Sequence, residues 1–306
     1  MSNNKDLTVI VIALLGGKGL AACLRRLETV LEEDGVPVIV VHAFGAAGEC
    51  IEDWRRDFPR IGFLDTDQEP VPLRRQRGAE ACESTFVAFI EDTTWPVSGW
   101  QRAILAGFDD LEVGAVGGPI GISGALSARA SALGVSDYGR FHPAVLGLDS
   151  NVIRPTSHLP GNNLAYRRDL LLAALRQSTH GLIEAEVNDR LRRQGIRLVL
   201  HSGMAATYAG EDSYHCRLSA RLQHGRLYGS GQSAGQPLAK RLEFCAAACA
   251  LPIVLTGRAL SVAVRALPLA KVPAVAIWIY LMATAWAIGE ALGALDGEGQ
   301  SLQSWR

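Results

Sequence analysis

The chain has 306 residues, enough for one large or two small domains, and carries 30 basic against 31 acidic side chains for a formal net charge of −1. That balance excludes a bulk nucleic-acid binder, which needs an excess of basic groups to neutralise phosphates along a duplex. The six cysteines (Cys23, Cys50, Cys82, Cys216, Cys245, Cys249) form no C-x-x-C pair, and no His or Cys cluster joins Cys245 and Cys249 to complete a metal site, so a reducing compartment fits.

Residues Leu7 to Leu15 form an apolar run, and Leu20-Ala21-Ala22-Cys23 has the form of a lipoprotein cleavage box. Asp6 offsets Lys5, and Lys18 interrupts the approach to the cysteine, whereas a signal peptide has a basic start and an unbroken apolar core. Thr8 to Leu15 therefore reads as a buried first strand, apolar on both faces as in a parallel sheet. The following Gly16-Gly17-Lys18-Gly19 matches neither G-x-x-x-x-G-K-[ST] nor G-x-G-x-x-G.

Gly19 to Glu33 reads as a helix, with Leu20, Cys23, Leu24, Leu27, Val30 and Leu31 near 3.6-residue spacing. Strands are expected at Val36 to Val41 and Ile61 to Leu64, a polar helix at Leu73 to Glu83, and a fourth strand at Phe86 to Ile90. A helix from Val97 to Phe108 and a fifth strand from Val113 to Val116 follow. Repeated β-α-β units predict an α/β fold with a parallel sheet and helices on both faces. Such sheets bind ligands beyond the carboxyl ends of their strands.

Residues 121 to 160 are rich in Gly, Ser, Ala and Pro and lack clear periodicity, which predicts loops and short elements near a functional site. Arg168 to Arg176 reads as a helix. Leu182 to Gln194 reads as another, stopped by Gly195 as a C′ glycine. Ile196 to Leu200 is a further strand, and His215 to Tyr228 a basic amphipathic helix.

The character changes near Phe244. Val272 to Gly289 holds eighteen residues without a charge, about 27 Å of helix and close to the hydrocarbon thickness of a bilayer. Lys240, Arg241, Arg258, Arg265 and Lys271 precede it, and Asp296 and Glu298 follow. The positive-inside tendency then favours one crossing with the preceding domain in the cytoplasm. A two-helix hairpin would instead put Arg265 and Lys271 at the far side, and Phe244 to Leu267, with Arg258 and Arg265, also suits an interfacial helix. The expected organisation is a catalytic domain over residues 1–235, a membrane-associated helical segment over 236–295 and a polar tail over 296–306.

The fourth strand runs into Glu91-Asp92-Thr93, two carboxylates where a parallel sheet places ligands, and oxygen ligands of this kind suit a divalent cation bridging a diphosphate. Together with Arg75-Gln76-Arg77-Gly78, thirteen residues before Glu91, the segment resembles the family-2 glycosyltransferases, in which an R-N-x-G element precedes a strand ending in D-x-D. Pro96-Val97-Ser98-Gly99-Trp100 fits a P-x-x-G-W variant of that motif. Gly161-Asn162-Asn163-Leu164-Ala165-Tyr166-Arg167-Arg168 resembles the family's acceptor-side G-x-N-x-A-x-R-R element. Ile183 to Gly195 resembles its E-D-x-x-L-x-x-R-L-R-x-x-G helix, and Gln223-His224-Gly225-Arg226-Leu227-Tyr228 its Q-x-x-R-W element, with Leu227 in place of Trp. The resemblance covers roughly residues 7 to 230.

The resemblance implies a GT-A fold, Rossmann-like and mostly parallel, that binds a nucleotide sugar with Mg2+ or Mn2+, followed here by C-terminal apolar membrane helices. By it, Glu184 is the catalytic base, eleven residues before Gly195; a first-turn acid complementing the helix dipole is the other reading of that position. Glu91 and Asp92 are metal and donor ligands, and Arg75, Gln76 and Gly78 shape the donor pocket. His42 stands where the family has a base-contacting Asp, and Thr93 where it has the last acid of D-x-D. Gly161, Asn162 and Asn163 line the acceptor side. Gln223 and Arg226 contact the diphosphate, or the helix that carries them lies against anionic lipid. The function implied is transfer of a sugar to a lipid-linked or polysaccharide acceptor, with the catalytic domain on the cytoplasmic side of the membrane. The alternative is a non-catalytic sugar-nucleotide-binding or scaffolding relative.

Overall fold

A computed structural model describes residues 7–14, 16–31, 35–43, 50–67, 69–147, 152–210 and 217–305. Leu15 of the expected first strand, Glu32 and Glu33 of the expected first helix, and His215 and Cys216 at the expected start of the late helix lie outside the described residues. The chain divides into two compact units. The first comprises Met1–Gly121 with Leu146–Gly210, the second Ile122–Val145 with Glu211–Arg306.

In the first unit, strands β1 (Leu7–Ile12), β2 (Val38–His42), β3 (Gly62–Asp65) and β4 (Phe86–Glu91) alternate with helices α1 (Gly17–Val30), α2 (Ile51–Asp57) and α3 (Val71–Ala81). Then come β5 (Thr94–Pro96), α4 (Trp100–Gly107), β6 (Val113–Gly117) and β7 (Ile120–Ile122). Helix α5 (Ala128–Asp137), which belongs to the second unit, and helix α6 (Pro143–Leu146) precede β8 (Ile153–Pro155), β9 (Asn163–Arg167), α7 (Arg168–Leu175), α8 (Glu184–Arg193), β10 (Arg197–His201) and β11 (Ala206–Tyr208). The main sheet has eight strands in the order β3-β2-β1-β4-β9-β6-β10-β8, and β5-β11-β7 form a small second sheet.

The sheet is mostly parallel: β1 pairs with β2 and β4, β2 with β3 and β6 with β10 in parallel, while β9 and β8 run antiparallel. All six residues of β1 are buried, which follows from helices covering both faces. Leu20, Cys23, Leu24, Leu27 and Val30 of α1 form its buried stripe. Gly78 sets how closely α3 lies on the sheet, because a Cβ there would stand 2.6 Å from Ile10 and 3.2 Å from Val41.

The antiparallel β9 wedged between β4 and β6 departs from the simple β-α-β expectation. Its buried Asn163 breaks the apolar pattern that would have marked a strand. The expected loops of 121 to 160 contain a ten-residue helix, α5, started by Ser127, whose side-chain oxygen accepts from the Ala130 amide. Small residues on every side of α5 blur its periodicity.

The second unit holds α5 with α9 (Leu218–Ser233), α10 (Leu238–Ala248), α11 (Leu251–Ala266) and α12 (Val272–Asp296). The pairing of α9 and α12 rests on glycines spaced four apart on both helices. A Cβ on Gly225 or Gly229 would fall on the carbonyl oxygens of Trp286 or Glu290, and one on Gly289 or Gly293 on those of Leu222 or Arg226. Backbone therefore meets backbone directly, and α9 is no simple amphipathic helix. Among the described residues, one helix, Leu269–Asp296, is long and apolar enough to cross a membrane. Helices α10 and α11 pass that test only jointly and are bent by 49°.

Candidate functional site

Strand β4 delivers Glu91 to the carboxyl edge of the sheet, in register with Ile12 at the end of β1. Asp92 and Thr93 follow in the turn. Helix α3 enters over the same edge after Pro70 and carries Arg75, which is almost wholly buried. Helix α8 begins with Glu184, at the end of the helix where backbone amides favour a carboxylate.

These three side chains meet. Arg75 Nη2 donates to Glu91 Oε1 at 2.7 Å, and Nη1 donates to Glu184 Oε2 at 3.0 Å. One planar guanidinium thus spans two carboxylates contributed by residues 109 positions apart from Arg75 in one case and 16 in the other. The Glu91 side chain is 8% exposed and that of Glu184 28%, so solvent and ligand reach Glu184 far more easily. Burial pushes the Glu91 carboxyl above its ordinary value; Arg75 pulls the other way and the nearby Glu184 charge adds to the rise. The Thr93 hydroxyl donates to Glu91 Oε2 at 3.3 Å.

Gly161 gives Glu184 its seat. A Cβ at position 161 would lie 2.8 Å from both Cδ and Oε1 of the glutamate. Beside it, Tyr166 Oη donates to Asn188 Oδ1 at 2.9 Å, and burial pushes that phenol far up, so it stays protonated. Glu184 Oε1 makes no hydrogen bond to any described side chain.

The remaining expected residues have different surroundings. Asp92 Oδ2 accepts from the amides of Leu14 and Gly16, both at 3.0 Å, and so pins the turn after β1. Asn162 Nδ2 donates to Thr94 Oγ1 at 2.8 Å. Asn163 accepts from Trp100 Nε1 at 2.8 Å and donates to the Met204 carbonyl at 2.7 Å. Both asparagines are buried within the unit, and the expected Trp100 and Asn163 motifs are bonded to each other. Gln76 faces outward, donating to Glu80. Gly78 packs on the sheet, as described above. His42, at the end of β2, is buried with Nδ1 4.0 Å from Asp65 Oδ1 and its ring edge-on to Phe63.

Gln223 and Arg226 belong to the second unit. There Arg226 Nε donates to the Gly297 carbonyl at 2.9 Å, and Gln223 Oε1 accepts from Ser301 Oγ at 2.7 Å. Both anchor the C-terminal tail to α9.

Sequence reasoning missed Arg74, which is buried and ties α3 to the turn after β1 by donating to the Ala13 carbonyl at 3.2 Å and to that of Glu69 at 2.8 Å. An arginine pair at the start of a helix pointing at a ligand edge was the available signal. It also missed that Arg75 holds Glu91 and Glu184 together. A cavity of about 440 Å3 lies elsewhere, an open depression lined by Leu64, Asp65, Thr66, Asp67, Glu69 and Arg77 among others. None of Glu91, Asp92 or Glu184 lines it; the depression is walled by solvated ion pairs such as Arg77–Glu69.

Among the described residues no three His, Cys, Asp or Glu side chains gather as metal ligands. Glu91 and Asp92 are an incomplete oxygen set. Such a set suits a hard cation that arrives with phosphate oxygens of its own, as Mg2+ does on nucleotides, and does not suit an ion held by protein alone.

No family model and no curated relative matches the sequence. Solved structures do resemble it. The mannosyltransferase PcManGT from Pyrobaculum calidifontis, in complex with GDP-Man and Mn2+, superposes with a TM-score of 0.52 at 16% identity, covering 92% of this chain and 86% of that one. GalNAc-T7 with UDP, GalNAc and Mn2+ gives a TM-score of 0.48 at 11% identity, covering 66% of this chain and 43% of that one. The first likeness shows the fold: a mixed α/β, mostly parallel architecture of the GT-A glycosyltransferase type.

Proposed function

We propose that this chain transfers a sugar from a nucleotide-diphosphate sugar to a hydroxyl of a lipid-linked or polysaccharide acceptor at the cytoplasmic face of a membrane. The observation that carries the reading is the Glu91–Arg75–Glu184 cluster at the carboxyl edge of a GT-A-type sheet. Glu184 is the base. Its Oε2 is fixed by Arg75, and its Oε1 is left to accept the proton of the acceptor hydroxyl as that oxygen attacks the anomeric carbon. Gly161 keeps the space beside Oε1 open.

Arg75 has two tasks. It orients Glu184, and it offsets the charge of Glu91 in a buried setting where an unpaired carboxylate is costly. Asp92 shapes the donor side by holding the turn after β1, and Asn162 and Asn163 fix the backbone on which Gly161 sits. His42 marks the nucleoside end. The solved relative in complex with GDP-Man and Mn2+ supports a divalent cation. Glu91 and Asp92 would hold it together with the donor phosphates, and when bound it neutralises charge on the departing diphosphate. An apolar C-terminal helix supports a membrane location and hence an acceptor anchored there, because tethering raises the local concentration of such a partner.

A second reading, a sugar-nucleotide-binding relative without turnover, is favoured by one observation: the oxygens of Glu91 are engaged by Arg75 and Thr93, and Asp92 by two amides. Nucleotide release from a panel of donor sugars, with Mn2+ and with chelator, separates the two. Release from at least one donor, lost in Glu184→Gln, supports the transferase. Donor binding without release from any of them supports the second reading.

A further inference from the structure

The apolar helix α12 is half covered by its own unit. Its buried stripe contains Val275, Ile279, Met282, Ala287, Gly289 and Gly293. On the opposite side Ile277, Tyr280, Leu281, Ile288, Leu292 and Leu295 are all exposed, at helical spacing that keeps them on one face for the length of the helix. Only 39% of its most apolar stretch is buried.

Charged side chains flank the covered side of the helix. Arg129 of α5 lies over the Trp278 ring at 5.9 Å, and Arg221 of α9 over the Trp286 ring at 5.1 Å. Arg221 also pairs with Asp137 at 2.8 Å. Arg226 binds the Gly297 carbonyl, Arg241 binds the carbonyls of Ala294 and Leu295, and Lys271 binds those of Gly124 and Leu126. Charged groups therefore accompany α12 from end to end. Because the α9–α12 contact is backbone on backbone, α12 cannot enter the hydrocarbon centre without bringing that retinue, and ionised side chains at the bilayer midplane are strongly disfavoured.

Charge identifies what covers the exposed stripe. Residues 122–145 and 211–306 contain 11 Lys and Arg against 7 Asp and Glu, whereas the remainder of the chain contains 19 against 24. The excess of basic groups is confined to the unit that carries the stripe. Apolar side chains on one exposed helix face, in a unit of net basic charge, match an anionic lipid surface.

We propose that α12 does not cross the membrane but lies in the interface of an anionic bilayer, its Ile277–Tyr280–Ile288 stripe among the acyl chains and the rest of the second unit on the water side. The surface is thus a monotopic lipid-docking face. This inference deepens the membrane reading above and is independent of catalysis, so a vesicle experiment reads it without any transfer assay.

The full-length chain is mixed with vesicles of phosphatidylcholine, with and without about 30% phosphatidylglycerol as the anionic component, and floated. The chain should float with the anionic vesicles, weakly or not at all with neutral ones, and leave native membranes in alkaline carbonate. Ile277→Glu and Ile288→Glu change exposed positions, so thermal stability should hold while vesicle affinity falls about tenfold or more each. A cysteine placed at Gln300 should resist an impermeant thiol reagent applied from outside intact cells. Carbonate-resistant retention, or labelling of that cysteine from outside, overturns the proposal in favour of a crossing. Equal flotation on neutral and anionic vesicles, or vesicle affinity unchanged by both substitutions, overturns it too. So does a dimer in solution that Ile277→Glu dissolves.

Discussion

The two units solve opposite packing problems. At the carboxyl edge of the sheet, long charged side chains are brought inside and held by one another: Arg75 between Glu91 and Glu184. Between α9 and α12, side chains are removed, and Gly225, Gly229, Gly289 and Gly293 let two backbones touch. The first arrangement is electrostatic and fails when a partner is deleted. The second is steric and fails when an atom is added. The proposed function rests on the first kind, whose Glu184 keeps a carboxylate partly open to solvent.

Substitutions sharpen that contrast. The largest effect is expected at Glu184. Glu184→Gln should leave the fold and donor affinity in place and lower the transfer rate by about 10²- to 10⁴-fold, as for loss of a general base, measured by single-turnover kinetics. Arg75→Met comes next. It leaves the Glu91 carboxylate buried without its partner and should cost about 3–5 kcal/mol of stability, since breaking a buried pair on one side exposes the other to its full desolvation penalty; chemical denaturation measures it. In the second unit, Gly225→Leu places a side chain on the Trp286 carbonyl and should cost about 1–3 kcal/mol or more, seen as early melting of the helical signal.

Two smaller effects separate geometry from stability. Gly161→Ala presses on the far end of a flexible glutamate, which gives way; melting temperature should change little, while the transfer rate falls about tenfold, since a small misplacement of a reacting group is costly. The Glu91 carboxyl is raised above its ordinary 4.5 chiefly by burial. The native state therefore binds a proton more tightly than the unfolded chain does. The stability this group contributes is present below pH 4.5 and is lost as pH rises through the elevated value. Thermal melts of wild type and Glu91→Gln across that window should diverge in this sense, the variant showing the shallower decline.

Much of the sheet was legible because buried parallel strands advertise themselves as short apolar runs, as Val38–His42 and Phe86–Glu91 do. Helix α1 was legible for its regular stripe. Strand β9 was not: its Asn163 is buried to bind Trp100, and nothing local separates such an asparagine from one in a loop. Helix α5 was hidden by small residues. At the site, the resemblance of the motifs, taken in order and spacing, singled out Glu91, Glu184 and Arg75. It could not tell that Gly78 and Asn163 serve packing while Gly161 gives room to a carboxylate, because a glycine's or an asparagine's task depends on what stands opposite it in space. Gln223 and Arg226 teach the same lesson from α9, where their partners are Ser301 and Gly297.

The most direct test of the account is a paired measurement on Glu184→Gln: donor affinity by calorimetry and sugar transfer by product formation. The account predicts a dissociation constant within about twofold of wild type and a transfer rate reduced by about 100-fold or more. A variant that transfers sugar at the wild-type rate contradicts it.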